Sequence, residues 1–117
     1  MFKNFFLRMQ AKLALHFKIR EADARFHSDG ERRFLICLAD GHLAVLTLDE
    51  ALSMKHLGNL PADFTAKTIY GCAIYFTGTN RPTARTKTAM PKVEVRRRRD
   101  IAFIPWFIKH HTKSRKS

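Results

Sequence analysis

The sequence predicts a single α+β domain over residues 1–109, a mostly antiparallel sheet flanked by helices, followed by a flexible basic tail over 110–117. Three observations predict it. An amphipathic run with apolar side chains three and four apart opens the chain, two Asp-Gly pairs eleven residues apart follow, and a helix-capping tetrapeptide comes soon after the second pair. Size and composition agree: 117 residues suit one core, and ten Phe with 45% hydrophobic residues, against five Gly and four Pro, supply the apolar material for it.

Residues 2–17 place Phe2, Phe5, Phe6, Met9, Leu13 and Phe17 along one helical face and turn Lys3, Lys12 and Lys18 away from it. The phenylalanine face is expected in the core, with an anionic membrane surface as its other possible seat. Arg8, Lys12, His16 and Lys18 interrupt the run, so the segment predicts neither a signal peptide nor a membrane span, and the protein is expected in the cytoplasm.

Asp29-Gly30 and Asp40-Gly41 are the dipeptides that two-residue hairpin turns prefer, because both turn positions need positive φ. They predict a meander of strands at 22–28, 31–39 and 42–48. A two-residue turn at Asp40-Gly41 sets Leu38 opposite Leu43 and Ile36 opposite Val45, with Leu35, Cys37, Ala44 and Leu46 on the other side. Apolar residues on both faces predict a hairpin covered on both. Thr47-Leu48-Asp49-Glu50 is a capping box and Gly58 a left-handed stop, which predicts a helix over 48–57. The Thr-, Ile-, Tyr- and Phe-rich stretch at 65–77 predicts a fourth strand, and the segment at 78–92 a long basic loop. Val93-Glu94-Val95 restarts a strand over 93–99 that must leave the core at Arg96 to Arg99, and Pro105 opens a short helix through Ile108. An exposed edge at 93–99 offers pairing with a second copy, hence a homodimer. Cys37 and Cys72 lie in apolar runs without Cys-x-x-Cys spacing and are expected as reduced core thiols.

Function is approached through charge. Of the formal net charge of +12, residues 81–117 hold twelve cations against only Glu94 and Asp100, and residues 1–20 add five cations with no acid. Clustered cations concentrate phosphate, whereas dispersed ones mainly keep a protein soluble. The candidate phosphate contacts are Arg81, Arg85, Lys87 and Lys92 in the loop, Arg96, Arg97, Arg98 and Arg99 on the last strand, and Lys109, Lys113, Arg115 and Lys116 toward the C-terminus. Arginine forks and threonine hydroxyls suit backbone contacts on DNA or RNA, and Trp106, Phe103 and Phe107, each expected in the core before any other role, lie near enough to the cations for stacking on unpaired bases. The expected function is therefore non-enzymatic nucleic-acid binding.

Two alternatives stand beside it. The same basic face suits docking on an acidic protein or a nucleoprotein complex, as a small regulator or inhibitor would. His110 and His111, set among cations, carry the residue types for metal-independent RNA cleavage, one as base and one as acid. The acids Asp23, Asp29, Glu31, Asp40, Asp49, Glu50 and Asp63 are mostly committed to turns and caps, and Gly71 and Gly78 are isolated, so neither a metal site nor a nucleotide cofactor is expected.

Overall fold

A computed structural model describes residues 2–116, with side chains from 5 to 111. The side chains of Phe2, Lys3, Lys113, Arg115 and Lys116 therefore lie outside the described residues. The α+β class holds: a long N-terminal helix, a three-stranded antiparallel sheet and further helices. Helix α1 is Phe2–Asp29, strands β1 and β2 are Phe34–Cys37 and Leu43–Leu46, and helix α2 is Leu48–His56. Then come α3 (Ile69–Cys72), β3 (Tyr75–Phe76), α4 (Lys92–Arg98), a π-helical turn at Arg99–Phe103, and α5 (Ile104–Lys116).

Helix α1 runs past its predicted end at 17 and absorbs the strand expected at 22–28. The segment Ala22-Asp23-Ala24-Arg25 is composed of residues that helices accept, and Lys18, Glu21 and Arg25 add i,i+3 and i,i+4 ion pairs. Gly30 does adopt positive φ, at 75°, but as the stop of α1, its N–H donating to the Phe26 carbonyl at 2.6 Å. The helix also presents the opposite face from that expected. Leu7, Ala11, Leu15 and Ala22 are buried, while Phe5, Phe6, Met9, Leu13 and Phe17 face outward. The alanines, both fully buried, let neighbouring elements approach α1 closely, which a ridge of phenylalanines would prevent.

The sheet order is β2-β1-β3, so β1 is central. The loop at Asp40-Gly41 spans three residues rather than two. Gly41 N–H donates to the Leu38 carbonyl at 3.1 Å, Leu38 N–H to the His42 carbonyl at 2.9 Å, and Gly41 stands at φ 94°. That is a type I turn followed by a left-handed glycine, and it shifts the register by one residue from the predicted one. Phe34 pairs with Leu46, Leu35 with Val45, Ile36 with Ala44 and Cys37 with Leu43. A one-residue slip changes which side chains share a face. Leu35, Val45 and Tyr75 pack with α1, Phe103, Ile104 and Phe107, whereas Phe34, Ile36 and Leu46 pack with Ala51 of α2, Leu60, Phe64 and Ile69 of α3. The sheet is thus covered on both faces, as its apolar strands require.

The long strand expected at 65–77 reduces to Tyr75–Phe76. Upstream, Thr65 and Thr68 bond each other's backbone, the Thr65 N–H donating to Thr68 Oγ1 at 2.8 Å and the Thr68 N–H to Thr65 Oγ1 at 3.3 Å. These hydroxyls close a turn that leads into α3 in place of extended chain. The strand expected at 93–99 is helix α4, with Pro91 before its first turn. Glu94 grips Arg97 and Arg98 one turn on, a pattern that only a helix permits, so the segment offers no edge for strand pairing. Pro105 lacks the N–H that an α-helix would use, and the chain answers with the π turn, Ile104 N–H donating to the Arg99 carbonyl five residues back. Beyond it α5 carries the chain past Ile108.

Candidate nucleic-acid interface

The loop at 78–90 is braced from beneath by Arg32, a residue that the sequence did not single out. Arg32 lies between α1 and β1 and is only 6% exposed. Its Nε donates to the Thr77 carbonyl at 2.7 Å, and its Nη2 to the carbonyls of Thr86 at 2.5 Å and Thr88 at 3.0 Å. Its Nη1 reaches Tyr70 OH at 3.2 Å, and the guanidinium carbon stands 4.9 Å from the Phe76 ring centroid. All four acceptors are neutral. Thr79 N–H donates to the Lys87 carbonyl and Met90 N–H to that of Phe76, so the two limbs of the loop are tied to each other and to the sheet. Gly78 is required between them, since a Cβ there would lie 2.7 Å from the Lys87 carbonyl oxygen.

Three arginines from separate segments meet at Tyr70. Besides Arg32, Arg85 places its guanidinium carbon 5.7 Å from the Tyr70 ring centroid, and Arg98 Nη1 donates to the carbonyls of Tyr70 at 2.6 Å and Ala73 at 2.8 Å. Above Tyr70 opens a cleft of about 260 Å³ whose lining includes Arg32, Thr79, Arg81, Thr83 and Arg85. Arg81 is held there by Glu31 at 2.8 Å, with the pair well exposed.

The remaining cations are divided. Arg97 and Arg98 both engage Glu94, and these hydrogen bonds lower the Glu94 carboxyl to about 2. Arg98 is also half-buried against α3 and works as a strut. Arg99 holds Asp100 at 2.9 Å; that bond, then the positive charges of Arg99, Lys12 and Arg8, keep the Asp100 carboxyl below its ordinary value. Arg99 therefore shares a flank with α1 rather than with the loop. Lys87, Lys92, Arg96 and Lys109 are exposed, with no carboxylate within ion-pair distance among the described residues. Lys113, Arg115 and Lys116 belong to α5, their side chains outside the described residues.

Two of the aromatics named for stacking are core residues: Phe103 is fully buried and Phe107 nearly so. Trp106 is half-buried, tilted against Phe103 and His110. His110 and His111 occupy consecutive helical positions, about 100° apart around the axis. His110 stands over Trp106 and beside Gly41, while His111 stacks on Phe107 at 3.8 Å with its Nδ1 3.0 Å from the Phe107 carbonyl. The two rings thus address different neighbours. Both cysteines are free thiols, but only Cys37 is half-buried; burial foremost, then Cys72, pushes its thiol up to about 12. Cys72 is exposed, contrary to the core position expected. Among the described residues no three His, Cys, Asp or Glu side chains are grouped to hold a metal ion. Comparison with protein-family models, curated proteins and solved structures gives no match for this chain.

Proposed function

We propose that the protein binds nucleic acid, DNA or RNA, in the cytoplasm by gripping backbone phosphates. Arg81, Arg85, Lys87, Lys92 and Arg96 are the contacts, and Lys109, Lys113, Arg115 and Lys116 of α5 steer the polyanion toward them. The observation that carries this reading is the Arg32-braced loop, which holds Arg81 and Arg85 at the mouth of a cleft beside the exposed Thr83. Arginine forks with neutral hydroxyl donors are the chemistry of phosphate recognition. Arg97 is paired with Glu94 and Arg99 with Asp100, and neither is counted among these contacts. Arg98 stays a strut.

Titrating duplex DNA at rising salt tests this. Five phosphate contacts give log affinity against log salt a slope of about −4.5, and the Arg81→Gln, Arg85→Gln variant lowers it to about −2.7. A slope near zero rejects the reading. Pull-down with and without nuclease separates it from docking on an acidic protein, since a partner that survives nuclease is held by protein contacts.

A further inference from the structure

The outward face of α1 is an unpartnered apolar ridge. Phe5, Phe6, Met9, Leu13 and Phe17 are between 55% and 61% exposed, diametrically opposite the buried Leu7, Ala11 and Leu15. They span about 18 Å of helix. Arg8 and Lys12 run along one side of the ridge, Arg20 follows at its end, and no acid occurs in residues 1–20. Arg99 joins the same flank through Asp100, which lies in the field of Arg8 and Lys12.

We propose that this face of α1 lies on an anionic lipid bilayer, the phenylalanines entering the acyl boundary and Arg8, Lys12 and Arg99 meeting the headgroups. Three features select that occupant. The shallow depression on the face is lined by Phe6, Met9, Gln10, Lys12, Leu13 and His16, all from α1 itself. The surface is therefore a convex ridge without a second wall, which fits a planar fluid boundary and gives a peptide no groove. In an antiparallel pairing with a second copy, each flank meets the same flank of its partner, so Arg8 and Lys12 would face their own counterparts across the seam. An apolar stripe bordered by Lys and Arg is, in contrast, the pattern of helices that rest in a membrane interface. No helix among the described residues is long and apolar enough to cross a membrane, so the contact is peripheral.

The test is co-sedimentation of the nuclease-treated full chain with vesicles of phosphatidylcholine alone and of phosphatidylcholine with about one third phosphatidylserine. The wild type is expected to pellet with the anionic vesicles only. Phe6→Ser, Leu13→Ser, changed at exposed positions, is expected to keep the wild-type unfolding midpoint and salt slope on DNA while its vesicle affinity falls about thirtyfold. Should its midpoint fall, Phe17→Ser replaces it with a smaller loss in the same direction. Wild type left in the supernatant overturns the proposal, as does a variant that pellets equally well, which would reveal attraction by the basic residues alone. Light scattering that shows a wild-type dimer dispersed by the same variant also overturns it, assigning the ridge to a second copy. None of these outcomes touches the nucleic-acid reading, whose contacts lie on other elements.

Discussion

At Arg32 a full positive charge is buried with neutral partners only, three carbonyls and a phenol, beside the paired rings of Tyr70 and Phe76. A guanidinium suits this position because its planar fork serves several acceptors at once, which an ammonium does not. Arg32→Met is expected to cost about 1–3 kcal/mol, because it leaves buried carbonyls without a donor, and Arg32→Lys is expected to recover only part of it. Urea denaturation midpoints check the first statement, and hydrogen exchange of the Thr79 and Met90 amides, which bond to the Lys87 and Phe76 carbonyls, reports whether the loop has come free. Arg32 was not legible in the sequence because Glu31-Arg32-Arg33 reads as an ordinary solvated charge run. Arg81 and Arg85 were legible because charge density along the chain needs no knowledge of packing, whereas the sorting of Arg96 to Arg99 into one exposed side chain, one surface pair, one strut and one residue on the α1 flank follows from the helix that carries them.

Helix α2 shows what local chemistry can specify alone. Thr47 Oγ1 accepts from the Glu50 N–H at 3.2 Å while Glu50 Oε1 accepts from the Thr47 N–H at 2.9 Å, so the predicted capping box is fully formed. Thr47→Ala is expected to lower stability by about 1 kcal/mol, measured by thermal or urea unfolding. Where tertiary contacts decided, the local signals were ambiguous. Both Asp-Gly glycines take the positive φ that the sequence foretold, yet one ends a helix and the other closes a longer turn. Val93 and Val95 favour a strand, but the reach of Glu94 to Arg97 and Arg98 prevails. That ion pairing gives α4 an acid-sensitive component. Glu94 has its folded-state carboxyl lowered from 4.5 to about 2, so its contribution is present above the ordinary carboxylate range and is lost as pH falls from about 4.5 toward 2. Far-ultraviolet circular dichroism over this range is expected to show helix loss in the wild type, and Glu94→Gln to lack the part that Glu94 supplies.

For the molecule as a whole, the unbroken apolar runs of β1 and β2 already implied a sheet covered on both sides, and the two packed layers meet that requirement with α1 and α5 on one face and α2 and α3 on the other. What those runs could not convey was the choice of face for α1, because the helix is apolar on both sides and only the approach of α5 and the sheet to Ala11 and Ala22 selects one. The same arrangement separates the cations into a group around the loop and another beside α1, so one sequence asymmetry becomes two surfaces.

The grip of Arg32 on Thr77 before the loop tip and on Thr86 and Thr88 after it has a further consequence for a severed chain. Trypsin acting at exposed Arg85 cuts between those anchor points, while Phe103, Ile104 and Phe107 remain buried against α1 and the sheet. The two fragments are expected to migrate as one species on native gels and to part only in detergent, whereas the Arg32→Met protein, once nicked, should come apart at far lower urea.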